Sequence, residues 1–182
     1  MSSEQTTLDR IQAALDGIEH EISEPRDGMP CVETDRGSLH DVLARLRDGA
    51  GFETITFVTG IDRLGSEPTE PRFEVVHQLH APASTDRVRI RTKVTSDDAS
   101  VPSCVDLWPG AGFMERECWD MLGIRFDGNP NLKRLLMPEG YEHHPLRKEF
   151  PSQGIEPDRL YRQWDEARRR EIEAENQERG RS

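Results

Sequence analysis

Cysteine is scarce: Cys31, Cys104 and Cys118 are the only three in 182 residues, and no C-x-x-C pair occurs. An iron–sulfur cluster normally takes four thiolates at short spacings, and a structural zinc site needs comparable clustering, so neither can be built from these three. An odd, scattered set also excludes a disulfide framework, leaving free thiols, buried or half-buried, in a reducing compartment. Long apolar runs are lacking too. The chain is 34% hydrophobic, and no stretch approaches the roughly 18 apolar residues that span a bilayer. Acids stand near the start where a signal peptide has a basic end and an apolar middle, so the chain is expected to stay in the compartment where it is made. Positive charge is the third deficit: 24 Lys+Arg against 35 Asp+Glu leave a net charge of −11. That field repels nucleic acid and anionic lipid, so contact with a membrane has to come through another protein.

The length fits one core with peripheral arms, since domains usually run to about 100–200 residues. Leu8, Ile11, Leu15, Ile18 and Ile22 recur at spacings of three and four, which predicts an amphipathic helix over 8–22, capped by Thr6 or Thr7. With its linker it forms an acidic segment, 1–28. An α+β core follows over 29–123. It opens with a short strand near 29–34 and a helix over 39–48, with Ser38 as its cap and Gly49 and Gly51 as its stop. The period then changes to two over 52–61, 72–80 and 87–93, rich in β-branched residues, which predicts three antiparallel strands. One face is basic (Arg87, Arg89, Arg91, Lys93) and one apolar, so the apolar face needs helices over it. A last core helix spans 113–122, with Gly123 as its stop.

Beyond the core, residues 124–157 carry prolines at positions 130, 138, 145, 151 and 157. Such spacing forces extended chain and turns. In isolation this stretch would be a loose tail, and against a partner it could be a strap. The terminal segment, 158–182, reads as a charged helix anchored by Tyr161 and Trp164, with ion pairs such as Asp165 to Arg169 contributing only about 0.3–0.5 kcal/mol each.

Chemistry could reside in Glu115-Arg116-Glu117-x-x-Asp120, where three carboxylates and a guanidinium lie within two helical turns. Paired carboxylates do general acid–base work when burial drives their pKa values apart. The preferred reading is structural: a charge network, with Arg116 and Asp120 sharing one flank, that fixes the helix against the strap His144-Pro145-Leu146-Arg147-Lys148-Glu149. No nucleophile stands nearby with its base. His77 and His80 point to opposite faces of a strand, and His143 and His144 lack a third ligand. Gly110-x-Gly112 is a turn into a helix and not a dinucleotide fingerprint. The chain thus reads as catalytically empty.

These motifs carry a family resemblance. Val101-Pro-Ser, Leu107-Trp-Pro-Gly-Ala, the run from Glu115 through Met121, Gly123, Phe126, Pro130, Lys133, Arg134 and Leu135, and His144-Pro-Leu-Arg-Lys-Glu-Phe-Pro resemble the C subunit of NADH-quinone oxidoreductase, respiratory complex I. The likeness spans roughly residues 30 to 155. It departs at Asn129, where the family usually has histidine, at Leu122, often an aromatic, and at Glu149, usually aspartate. Asparagine can hydrogen-bond but cannot change charge near neutral pH, which points to a structural role at that position.

The resemblance implies an α/β core with a C-terminal extension embracing the large quinone-site (D) subunit of the peripheral arm. This chain would bind no cofactor, while the complex holds FMN, iron–sulfur clusters and quinone, passing electrons from NADH to quinone and translocating protons. It would lie on the cytoplasmic face of the inner membrane. Structural or interface residues would be Glu115, Arg116, Glu117, Asp120, Lys133, Arg134, His144, Pro145, Arg147, Lys148 and Glu149. The same domain resembles parts of membrane-bound hydrogenases, formate hydrogenlyases and ferredoxin- or deazaflavin-fed complexes. The lack of appended large-subunit sequence favours a stand-alone subunit. An independent small enzyme using the carboxylates is a third alternative.

Overall fold

Nine-residue strands make up most of the sheet, because residues 54–94 place branched and aromatic side chains at alternate positions around two turns. The computed structural model describes residues 6–66, 70–155 and 166–170. Strands β1 (Glu21–Ser23), β2 (Cys31–Glu33), β3 (Thr54–Asp62), β4 (Phe73–Ala81) and β5 (Asp86–Val94) make one sheet in the order β1-β2-β5-β4-β3. The expected antiparallel trio is β3–β4–β5; β2 joins β5 in parallel and β1 joins β2 antiparallel. A second, two-stranded parallel sheet pairs β6 (Ser100–Pro102) with β7 (Arg125–Asp127). With helices α1 (Thr7–Ala14), α2 (Leu39–Ala50) and α3 (Ala111–Leu122), this is the α+β fold that the sequence predicts. No helix among the described residues is long and apolar enough to cross a membrane.

The first helix is shorter than its apolar spacing suggests. Thr6 caps it as expected, in a reciprocal capping box with Asp9, but the helix stops at Ala14. Gly17 then takes a positive φ of 78°, and Ile22 becomes a strand residue opposite Val32. Glycine adopts that conformation without steric cost, so it breaks a pattern that Ile18 and Ile22 would otherwise continue. Ser38 also differs from expectation, making no side-chain cap at α2. Asp35 serves there instead, its Oδ1 accepting the backbone N–H of Gly37 and of Ser38 at 2.6 and 3.0 Å. Gly49 lies inside α2, and Gly51 ends it in the left-handed region.

One sheet face packs on Leu39, Val42, Leu43 and Leu46 of α2 and on α3. Gly60 of β3 sets how closely α3 approaches: a Cβ there would lie 2.6 Å from Leu122 and 2.7 Å from Ile124. The opposite face is not simply solvated. Glu74 is 1% exposed there, paired with Arg63 at 2.7 Å and with Arg91. Burial pulls its pKa up, but the two guanidiniums outweigh burial and hold it below its usual value.

His77 lies in the core, and neither ring nitrogen has a partner among the described residues. Burial pushes its pKa from 6.5 down to about 4. The unfolded chain therefore binds a proton in that window that the folded one refuses, and stability drops as pH falls from 6.5 towards 4. Urea unfolding of wild type should show this loss already above about pH 5, before carboxylates titrate. His77→Leu should flatten it, and an unchanged slope would refute the assignment.

Residues Met1–Glu149 form one compact unit and Phe150–Ser182 a second. The expected strap, 124–157, thus divides, with its residues up to Glu149 belonging to the first unit. Of the expected terminal helix, Tyr161, Trp164 and most of 158–182 lie outside the described residues. Residues 166–170 are helical, with Glu166 and Arg170 paired at 3.5 Å.

Candidate functional site

The last turn of α3 leaves carbonyl groups with no helical partner, and the chain that follows supplies donors to them. Arg134 Nη1 donates to the carbonyl of Asp120 at 2.8 Å, and His144 Nδ1 to the same oxygen at 3.0 Å. The Leu146 N–H donates to Met121 O at 3.0 Å, and Arg147 Nε to Leu122 O at 2.7 Å. Gly123 makes this crossing possible. It holds φ at 77°, and a Cβ there would sit 2.4 Å from Arg147 and 2.6 Å from His144. Burial lowers the pKa of both His144 and Arg147.

The Asp120 side chain fixes the start of the strap. Fully buried, its Oδ2 accepts the backbone N–H of Leu135, Leu136 and Met137 at 2.9, 2.7 and 2.9 Å, and its Oδ1 accepts from Arg134 at 2.8 Å. Burial opposes ionisation, but Arg134 and the three amides outweigh it, keeping the carboxyl below its ordinary pKa. Arg134 also donates to the carbonyls of Tyr141 and His143, and its guanidinium stands 5.3 Å from the Trp119 ring and 5.9 Å from the Tyr141 ring.

A second buried carboxylate holds the strap's far end. Asp62, at the end of β3, accepts two bonds from Arg72, at 2.9 and 2.8 Å, and the backbone N–H of Leu64 and Lys148, each at 2.9 Å. Arg72, foremost among these donors, holds the Asp62 carboxyl well below the usual carboxylate range. Arg72 also pairs with Glu149, and Lys148 Nζ donates to Leu64 O at 3.1 Å. The guanidiniums of Arg72 and Arg147 stand 4.7 and 5.4 Å from the Phe73 ring centre.

Glu115 is the third buried carboxylate, and its partners are neutral: Ser103 Oγ at 2.7 Å, the Cys104 N–H at 2.8 Å and Asn129 Nδ2 at 2.8 Å. It ties the loop after β6 and the turn after β7 to α3. All three cysteines are buried free thiols, as expected, and burial raises their pKa values.

The expected residues divide between the two ends of the strap, with different partners, and two of them stay outside its contacts. Arg116 does not pair with Asp120; it donates to the carbonyls of Lys133 and Arg134 at 3.2 and 3.0 Å. Arg147 and Lys148 send their side chains to carbonyl oxygens, so Asp120 takes Arg134 instead. Glu117 and Lys133 are exposed and form no ion pair among the described residues, while Pro145 lies half-buried in the strap. Residues 129–149 are therefore held by the chain's own groups and are not a loose tail. Asp62, Arg72 and Glu74, at a strand end and a following strand that also fit the family resemblance, are absent from the site residues expected from the sequence. The usable signal was an acid at a strand end and a base at the next strand's start, the two ends of one hairpin loop.

The chain matches the family model described as "Respiratory-chain NADH dehydrogenase, 30 Kd subunit" over residues 32–156. It is 41% identical to the NADH-quinone oxidoreductase C subunit of Citrifermentans bemidjiense over 132 residues, 72% of this chain and 79% of that one. It is 43% identical to the corresponding C subunit of Roseiflexus castenholzii over 148 residues, covering 80% and 83%. Among solved structures, a trypsin-resistant fragment of Nqo5 aligns with a TM-score of 0.63 at 29% identity, covering 70% of this chain and all of that one. A chain of an archaeal membrane-bound sulfane sulfur reductase aligns with a TM-score of 0.66 at 22% identity, covering 78% and 84%, which is a likeness of fold.

Proposed function

The chain belongs to the respiratory-chain NADH dehydrogenase 30 Kd subunit family, and we propose that it is the C subunit of a NADH-quinone oxidoreductase, a non-redox structural part of the peripheral arm. In this reading it supports the quinone-site (D) subunit, while other subunits hold FMN and the iron–sulfur clusters and pass electrons from NADH to quinone, coupled to proton translocation. It sits peripherally on the cytoplasmic face of the inner membrane through its neighbours. The observation that carries this is the saturation of the carboxylates. Asp62, Asp120 and Glu115 each accept three or more bonds from the chain itself, so their oxygens are committed to holding the strap and the loops beside it in shape. The strap presents Leu136 and Leu146, each more than 60% exposed, to its surroundings. Exposed leucines on a rigid support suit a permanent contact between subunits.

Arg147→Ala removes the cap on Leu122 O and the cation over Phe73. It should lower the yield of assembled arm while leaving turnover per assembled complex unchanged; Arg116→Ala should act in the same direction. Measuring both quantities in membranes decides the matter, because normal assembly with lost turnover would favour a catalytic role. Genes for NADH- and flavin-binding subunits beside this one would separate this reading from a related hydrogenase, ferredoxin-fed or deazaflavin-fed complex.

A further inference from the structure

Beside the Glu115 node, a concavity combines apolar walls with an arginine that has no carboxylate partner among the described residues. It lies between the first turn of α3 and the turn at 129–131, has a volume of about 170 Å³, and is walled by Val105, Pro109, Phe113 and Pro130. That is smaller than the roughly 300 Å³ at which small-molecule pockets begin, and is suited to a single side chain. Phe113, at its rim, is 65% exposed although it is the largest apolar residue of α3's first turn. Arg116 also lines it, its guanidinium 5.7 Å from the Phe113 ring. Two of its nitrogens serve the Lys133 and Arg134 carbonyls, and no carboxylate pairs with it among the described residues. Exposed Lys133 follows the Asn131 wall by two positions and likewise has no anionic partner among the described residues. In a chain of net charge −11, where most described arginines face a carboxylate, Arg116 in the pocket wall lacks one, and so does Lys133, whose carbonyl Arg116 holds.

We propose that this pocket receives one aliphatic or aromatic side chain from an acidic segment of a neighbouring protein of the same complex, whose carboxylates pair with Arg116 and Lys133. The proposal rests on the reading of the chain as a part of a larger complex. An apolar anchor in a pocket with charges at its rim is the usual division of labour at an interface, the anchor supplying affinity and the charges register.

Gly112 offers a clean test, because it lines the pocket from within α3 and a Cβ there meets only Val105 Cγ2, at an ordinary 3.5 Å. Gly112→Leu fills the pocket while replacing glycine by a better helix former, so the isolated full chain should unfold at the same or a higher temperature. Its incorporation into the arm, competed against wild type in the same cells, should nonetheless fall about tenfold or more. In parallel, the photoreactive residue p-benzoylphenylalanine at Phe113 in the assembled complex should crosslink to one segment of another subunit, with Asp or Glu within a few positions. The same probe at Arg87, on the β5 face, serves as control. Undiminished incorporation of Gly112→Leu, a crosslink yield no higher than the control, or a crosslink to a segment without carboxylates or to a second copy of this chain would each overturn the proposal. Failure of the wild-type chain to co-purify with any protein of the arm would instead defeat the parent reading.

Discussion

Asp120→Ala is expected to lower the unfolding free energy by about 3–5 kcal/mol, the usual cost of removing one partner from a buried, hydrogen-bonded charge pair. The loss has two parts. Arg134, with a side chain 10% exposed, keeps its charge and loses its counter-ion. The N–H groups of Leu135, Leu136 and Met137 lose their common acceptor, and these hold the chain in its turn after Arg134. A chain of this size should show a fall in melting temperature of roughly 10 °C. Trypsin should then cut at Lys133, Arg134 and Arg147 well before the core opens. Unchanged cleavage at those sites would mean that Asp120 does not hold the strap. The pH dependence has a definite sign. Because Asp120 is more acidic folded than unfolded, its contribution is present above the unfolded value of 3.8 and disappears as pH falls through its lower folded value.

Asp62→Ala should cost a similar amount, about 3–5 kcal/mol, because it strands a guanidinium 13% exposed and two backbone amides. The consequence should be local to the other end of the strap. Lys148 loses its backbone acceptor, and Arg72 retains only the exposed Glu149. In an Arg72→Met background the same substitution should cost much less, since no buried charge is left unpaired. A double-mutant cycle in urea should give a coupling of more than about 1 kcal/mol, and additive costs would show that the two residues act independently. Acid should remove this contribution only well below the unfolded value of 3.8, because Arg72 holds the Asp62 carboxyl well below the ordinary range.

Much of the fold was legible because it rests on short-range patterning. The period of two over residues 72–93 marks β4 and β5, and the three-and-four spacing of Leu39, Val42, Leu43 and Leu46 marks α2. The same logic over-extended α1, since Ile18 and Ile22 keep the helical rhythm while Gly17 reverses the chain. The site was legible as a set of residues and not as a set of pairs. Glu115, Asp120, Arg134 and Arg147 all lie in it, yet Asp120 takes Arg134, and Arg147 takes a carbonyl oxygen. Donation from a side chain to a backbone carbonyl leaves no trace in residue identity, because every residue has such a carbonyl.

The sequence by itself determined an acidic α+β chain without clustered thiols, and the motifs that place it in its family. It also determined that residues 124–149 could not be a long helix, since prolines at 130, 138 and 145 forbid it. Only the tertiary structure decided that this stretch is an ordered strap. Its order comes from Asp120 and Asp62, separated by 58 positions in the chain, which grip it at both ends, and from the left-handed Gly123 over which it crosses. Irregular chain has no repeating hydrogen-bond pattern of its own, so its conformation is set by whichever distant groups satisfy its amides and carbonyls, and those are known only once the fold has brought them there.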